Sequence, residues 1–270
     1  MGQVIVDNID LLEPNLRIPG KKPVGQVKIN PGVGIQKEGC ILFASGVLSN
    51  TGFRDLTGKT GVSVSSNYVS PPYQHWFPHP LGVENYYGGD YTLANRIDLH
   101  DISFSDSDMA GGNVVAFGAT FTLADKPLSG SLYYYQLVGD NNNSVDGKVN
   151  GSYNGLYFAG DTTLQIKGCA TNTSITVPNM RDSKSHSAIG LVWNDGTNVN
   201  VQLILDGVVY TTVSTVKALF SYPLISAFAA ASWANRVLDG VIHMVWMAKN
   251  PALQDCIEET KDPYQFLIPQ

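Results

Sequence analysis

Charge is scarce in this chain: only 15% of its 270 residues are Asp, Glu, Lys or Arg, against 43% apolar residues. The 17 Lys and Arg are scattered and the net charge is -6, so the counterion release behind phosphate-backbone binding has no basic run to work through. No nucleic-acid partner is expected. Cysteine is also rare. Cys40, Cys169 and Cys256 are odd in number, far apart and without zinc-site spacing, which fits free thiols in a reducing compartment better than a disulfide framework. No stretch reaches the roughly 18 consecutive apolar residues of a membrane span. Met1-Gly-Gln-Val-Ile-Val6 lacks a basic segment followed by an apolar one, so no secretion signal is expected and synthesis in the cytoplasm is. Val6 stands where myristoylation of Gly2 requires Ser or Thr, and without a secretory route the sequons at Asn142, Asn150 and Asn172 carry no glycan expectation.

What the chain has in quantity is Gly (27), Pro (14) and a hydrophobic period of two, the mark of strands with one buried face. Val115, Phe117, Ala119, Phe121 and Leu123 alternate with smaller or polar residues, as do Val199, Val201, Leu203 and Leu205. Further strands are expected at 61–69, 131–138, 155–159, 162–167, 187–193, 208–213, 225–231 and 241–248, separated by turn residues. Asp206-Gly207 between two apolar runs specifies a hairpin. One short helix is expected after the last strand, with Asn250 as its cap, Pro251 in its first turn, an apolar stripe at Ala252, Leu253, Cys256 and Ile257, and a stop at Asp262-Pro263. The pattern predicts an all-β, two-sheet antiparallel jelly-roll sandwich over residues 31–270. Residues 1–30 read as an extended arm broken by Pro14, Pro19 and Pro23, with Val4, Ile5, Val6, Leu11 and Leu12 as its contacts to a partner or to the sandwich.

Several motifs resemble the laminin-G-like and pentraxin-like branch of the concanavalin A-like lectin and glucanase superfamily. Gly155-Leu-Tyr-Phe158 resembles the strand opening the family's second half, and His186-Ser-Ala-Ile-Gly-Leu-Val-Trp193 its His-led strand. Val201-Gln-Leu-Ile-Leu-Asp-Gly-Val208 is similar to its strand-and-turn signature, and Leu238-Asp-Gly-Val-Ile242 to a later strand. The ending, Asn250-Pro-Ala-Leu-Gln-Asp-Cys-Ile257 and Asp262-Pro-Tyr-Gln-Phe266, resembles the closing helix and tail of tailed-bacteriophage virion proteins that carry this domain. The resemblance implies a structural virion protein, in the head decoration, collar, fibre or tail, with other virion proteins and further copies of itself as partners. A carbohydrate-binding adhesion module for host surface glycans is the alternative. The sequence departs from the family at His243, where an acidic residue is usual, and at Cys256, where Glu is.

Glycan-cleaving chemistry on this fold needs two carboxylates about 5 Å apart. The E-x-D-x-E strand that supplies them is missing, and an enzyme is the weakest reading. His186 has no nucleophile elbow near it and reads as a structural residue. Asp140, Asn142 and Asp146 offer alternate oxygen ligands for calcium, but the run lacks the loop glycine and the terminal Glu, so a polar hairpin loop is the stronger reading. Tyr73, Trp76, Phe77, Tyr86, Tyr87 and Tyr91 form the most aromatic stretch; broken by Pro and Gly, it is expected to be a loop. It could stack on sugar, contact another subunit, or close over a sheet edge. His75 and His79 lack acidic neighbours and flank Pro78, which argues against a metal there.

Overall fold

A computed structural model describes residues 27–29, 34–36, 40–46, 54–57, 62–66, 76–79, 82–85, 95–99, 106–123, 135–140, 155–168, 171–216, 226–227 and 240–269. The all-β sandwich anticipated from the pattern is the fold observed. The larger sheet is centred on β8 (Val114–Leu123), β13 (His186–Asn194) and β18 (Gly240–Lys249). Beyond β13 lie β14 (Asn198–Leu205), β15 (Val208–Val209) and β16 (Val213–Val216); beyond β18 lie β2 (Cys40–Ser45), β3 (Arg54–Asp55), β6 (Gly82–Asn85) and β5 (Trp76–His79). The smaller sheet runs in the order β12 (Thr171–Thr176), β11 (Thr163–Gly168), β10 (Gly155–Gly160), β9 (Tyr135–Asp140), β17 (Ser226–Ala227), β7 (Asn95–Leu99) and β4 (Val62–Ser66). A separate two-stranded ladder joins β1 (Val27–Ile29) to β19 (Leu267–Pro269). The helices are α1 (Asp106–Met109) and α2 (Leu253–Lys261).

Alternation builds the inter-sheet core. Val115, Phe117, Ala119, Phe121 and Leu123 of β8 pack with Leu156, Phe158, Leu164 and Ile166 of the smaller sheet, all buried. Phe121 meets Phe158 edge to face at 5.1 Å between ring centroids. At about 1.5–3 kcal/mol for each large apolar side chain buried, this layer is the main stabilising term.

The period of two implied one buried face, yet the central strands are buried on both. Their other face carries Ala116, Ile189, Leu191, Met244, Trp246 and Ala248, which form a second cluster with Ile35, Cys40, Phe43, Cys256, Tyr264 and Leu267. The cover is supplied by α2, the single turns Gly34–Gln36 and Pro263–Phe266, and β19. Trp246 stacks on Phe43 at 5.9 Å and lies across Gly118, where an added Cβ would collide with the indole and with the Ala188 carbonyl.

Local chemistry explains the other differences. Asn250 does not cap α2: its Oδ1 accepts from the Val114 N–H at 2.7 Å and its own N–H donates to the Val114 carbonyl, which closes the β8–β18 ladder instead. Ala252 holds the cap position, Leu253 is 46% exposed, and the buried helix face is Cys256, Glu259 and Thr260. Trp76 and Phe77 belong to a strand rather than a loop. Pro78 is tolerated there because β5 pairs only with β6 among the described strands, leaving its other edge without a ladder to interrupt. The strand expected over 208–213 divides at Tyr210, Thr211 and Thr212 into β15 and β16. Asp206 (φ 49) and Gly207 (φ 78) form the anticipated hairpin turn, both in the left-handed region that a type I′ turn requires.

Candidate functional site

The chain's own tail packs on the outer face of the larger sheet's central strands, and the outer face of the smaller sheet carries the candidate site. Along β10, β11 and β12, Leu156, Phe158, Leu164, Ile166 and Ile175 turn inward. The residues between them turn outward, and the register sets Tyr157 beside Gln165 and Gln165 beside Ser174. Burial deepens along this row: Ser174 is exposed, Gln165 retains 9% of its surface and Tyr157 only 2%. Gln165 Nε2 donates to Ser174 Oγ at 2.9 Å. Gln165 Oε1 is withdrawn from solvent and has no hydrogen-bond partner. A buried carbonyl without a donor costs about 1–3 kcal/mol, so this oxygen is a place where a ligand hydroxyl would be stabilising.

A second polar cluster surrounds His186, on the first residue of β13. Its Nδ1 meets Asp206 Oδ2 at 2.7 Å and its Nε2 meets Asp182 Oδ1 at 2.9 Å. Asp206 is fixed in turn by the Ser187 N–H, which donates to Oδ1 at 2.7 Å. Burial lowers the imidazole's pKa, but the hydrogen bonds and charges of Asp206 and Asp182 outweigh it and hold the group above its ordinary value. With a carboxylate at each ring nitrogen, His186 has no lone pair to offer a serine, and the Ser187 hydroxyl is engaged with Thr120 at 3.1 Å. The arrangement clasps the loop before β13 to the β14–β15 turn.

His243 is fully buried. Its Nδ1 shares a hydrogen bond with the Tyr264 hydroxyl and its Nε2 one with Thr122 Oγ1 at 3.0 Å; Ser185 Oγ lies 3.0 Å from the same tyrosine oxygen. Burial pushes the Tyr264 pKa well up, so the phenol stays protonated. This chain of bonds fastens the tail to the sheet.

Of the candidates read from the sequence, Trp76, Phe77 and Asp140 lie among the described residues. Trp76 and Phe77 lie in β5, in the sheet opposite Gln165, and Asp140 ends β9 opposite Ser226. Tyr73, Tyr86, Tyr87, Tyr91, Asn142, Asp146 and the arm residues Val4, Ile5, Val6, Leu11 and Leu12 lie outside the described residues. Among the described residues no group of three or more His, Cys, Asp or Glu is placed to hold a metal ion. Cys40 and Cys256 are buried, and burial, with the charges of Glu259 and Asp255, pushes the Cys256 thiol up to about 12. Gln165 escaped the sequence reading because a polar residue between Leu164 and Ile166 is what any outward strand position carries.

No family model matches the chain, and no curated protein does. Among solved structures, a sialidase from Trypanosoma rangeli superposes with a TM-score of 0.53 at 13% identity, covering 84% of this chain and 33% of that one. A domain of an extracellular arabinanase from Geobacillus stearothermophilus gives 0.48 at 14% identity, covering 83% of this chain and 100% of that one. The binding domain of botulinum neurotoxin serotype G gives 0.48 at 13%, covering 84% and 50%. The chain thus spans about a third of the sialidase's length. At such identities the likeness establishes the fold alone, a jelly-roll β-sandwich.

Proposed function

We propose that the chain is a non-catalytic carbohydrate-binding module whose contact is the Tyr157, Gln165 and Ser174 row. The observation that carries this reading is the Gln165 carbonyl, buried without a donor beside an exposed hydroxyl and an aromatic ring. Binding sites combine apolar or aromatic surface with a few placed polar groups, and sugars supply the hydroxyl donor that this oxygen lacks. The sialidase with this fold is also solved with 2,3-difluorosialic acid as a covalent intermediate, which supports a sugar-handling scaffold. The absence of an E-x-D-x-E strand supports binding without cleavage. A glycan array probed with the full chain tests the reading. Binding that is retained by the wild type and lost in Gln165→Ala and Ser174→Ala is the expected result; an array with no bound glycan overturns it.

The second reading, a structural protein of a tailed-bacteriophage virion, is favoured by the ending, whose phage-like residues 250–266 form α2 and the turn that seals the larger sheet. The two are compatible in an adhesive virion subunit, with other virion proteins and copies of itself as partners. Mass spectrometry of purified particles should find the chain in stoichiometric amount; its absence sinks this reading.

A further inference from the structure

We propose that two copies of this chain join edge to edge through β15 and β16, about a two-fold axis that passes between Thr211 and Thr212. These strands are the margin of the larger sheet: both pair with β14, and among the described strands nothing pairs with their other edge. Sheet margins are ordinarily guarded by charge, proline or a bulge. The run Gly207-Val-Val-Tyr-Thr-Thr-Val-Ser-Thr-Val216 has neither charge nor proline, and its Val and Thr residues favour extended backbone. Among the described residues, three of the four exposed large apolar side chains are Val208, Val209 and Val213 of this margin, with Val208 57% exposed. Gathered on one short stretch, they form a patch, which marks an interaction surface where scattered exposure would not.

The remaining guard, a bulge, is present, and it fixes the register. Gln202 and Leu203 of β14 face Tyr210, Thr211 and Thr212, one residue more. Tyr210 pins the bulge: its N–H donates to the Leu203 carbonyl at 2.9 Å, and its carbonyl accepts from Gln202 Nε2 at 3.1 Å. Because Tyr210 bonds toward β14, alternation turns the backbone N–H and C=O of Val209 outward. At the far end of β14, the Asp195 N–H donates to the Asn198 carbonyl, so Asn198 and Asn200 bond toward β13 and Val199 and Val201 toward β16. Ser214, opposite Asn200, therefore also points its backbone outward. The proposed axis sets Val209 of one copy against Ser214 of the other, so these outward groups meet as a hydrogen-bonded pair on each side of it. Side chains match as well. Val208 meets Thr215 and Tyr210 meets Val213, all on the face that looks toward the smaller sheet, since Val208, Val213 and Thr215 lie opposite the core residues Leu205, Val201 and Val199 and Tyr210 packs on the same core. Charge favours a second copy as the occupant. In the sequence Asp206 precedes the run and Lys217 follows it, so antiparallel pairing of the run with itself brings ends of opposite sign together in this same register. On the same flank, β11 packs on β14 and β12 ends the smaller sheet, and its residues Thr171–Thr176 are uncharged too.

The experiment is sedimentation velocity on the full chain over a range of concentrations. The expected result is a monomer that passes to a dimer and no further, because a two-fold contact closes on itself. Val208→Lys with Thr215→Lys sets like charges opposite each other on both sides of the axis and should weaken association by about tenfold or more. Val208→Lys with Thr215→Glu sets opposite charges at the same places and should recover most of that loss. Both positions lie outside the core, so each double variant should melt close to the wild type when all are diluted to monomer, and lost assembly is then not lost folding. A chain that stays monomeric at every concentration overturns the proposal, as does a dimer that both double variants leave unchanged. Equal weakening in the two double variants overturns the register and the axis with it. Growth past the dimer into polymers overturns the two-fold contact, since open-ended growth is the mark of head-to-tail addition.

Discussion

Raising the pH through the titration of His186 should loosen the loop that precedes β13. Protonated, the imidazole donates to Asp206 and Asp182 at once. Its pKa in the fold lies above the ordinary value, so the stabilisation is complete below about pH 6.5 and is lost as pH rises through the folded value. Asp206 is anchored by Ser187 and keeps the remaining proton on Nδ1, so the neutral ring turns a lone pair toward Asp182 and that contact is the one to break. The His186 side chain is 12% exposed and the carboxylates 34% and 41%, which places each pair near the upper end of the 0.2–1 kcal/mol range for solvent-facing ion pairs, and the sum at about 1–2 kcal/mol. For a chain of this size each kcal/mol is about 2–4 °C of melting temperature. Melting curves between about pH 5.5 and about pH 8.5 should thus show a drop of a few degrees in the wild type. Asp182→Asn should lose most of that drop, because its amide can donate to a neutral ring nitrogen. Asp182 itself is held below its ordinary value, by a margin that its slight burial does not cancel, so its contribution fades only in acid. Parallel wild-type and Asp182→Asn profiles across this interval would refute the clasp.

Gly118→Ala should destabilise by about 1–3 kcal/mol, seen as a lower melting temperature, because the new methyl meets the Trp246 indole. Val201→Asp and Leu205→Asp should each prevent folding, since both positions lie in the inter-sheet core and an unpaired charge there costs several kcal/mol; cooperative melting of either would contradict the core assignment. Tyr264→Phe should cost about 1–3 kcal/mol in denaturant unfolding by removing the buried hydroxyl that bonds His243 Nδ1. Deleting residues 1–24 should leave the circular dichroism unchanged, whereas deletion through residue 36 removes β1 and the buried Ile35 and should lower the melting temperature sharply.

The inter-sheet core was legible in the sequence because strands such as β8 and β14 carry their large apolar residues at alternate positions, and the Asp206-Gly207 turn because its two left-handed residues are nearly diagnostic. The second apolar layer was not. Ala116, Gly118 and Ile189 read as the small or incidental members of an alternating strand, and only the placement of α2 and the tail shows that they line another interior. Polar edge strands such as Thr171–Thr176 carry too little apolar signal to announce themselves. The row at Gln165 depends on pairing between strands, and a single sequence does not specify which outward residues become neighbours. Asn250 shows the same limit, since a residue suited to cap a helix was recruited to finish a ladder 136 positions away.

The ladder between β1 and β19 has a mechanical consequence. Val27 lies opposite Pro269 and Ile29 opposite Leu267, so the chain leaves this ladder in both directions from the same end. Tension applied through residues 27 and 269 therefore opens it as a zipper, one rung after another, instead of shearing all its bonds together. Behind it, the pull would next reach Leu267 and the Pro263–Phe266 turn, lifting them from the cluster around Trp246 before any load arrived at the long pairing of β8 with β18. The tail thus acts as a fuse: a chain tugged at residues 27 and 269 would extend by a short peeled segment while the sandwich behind it stayed folded.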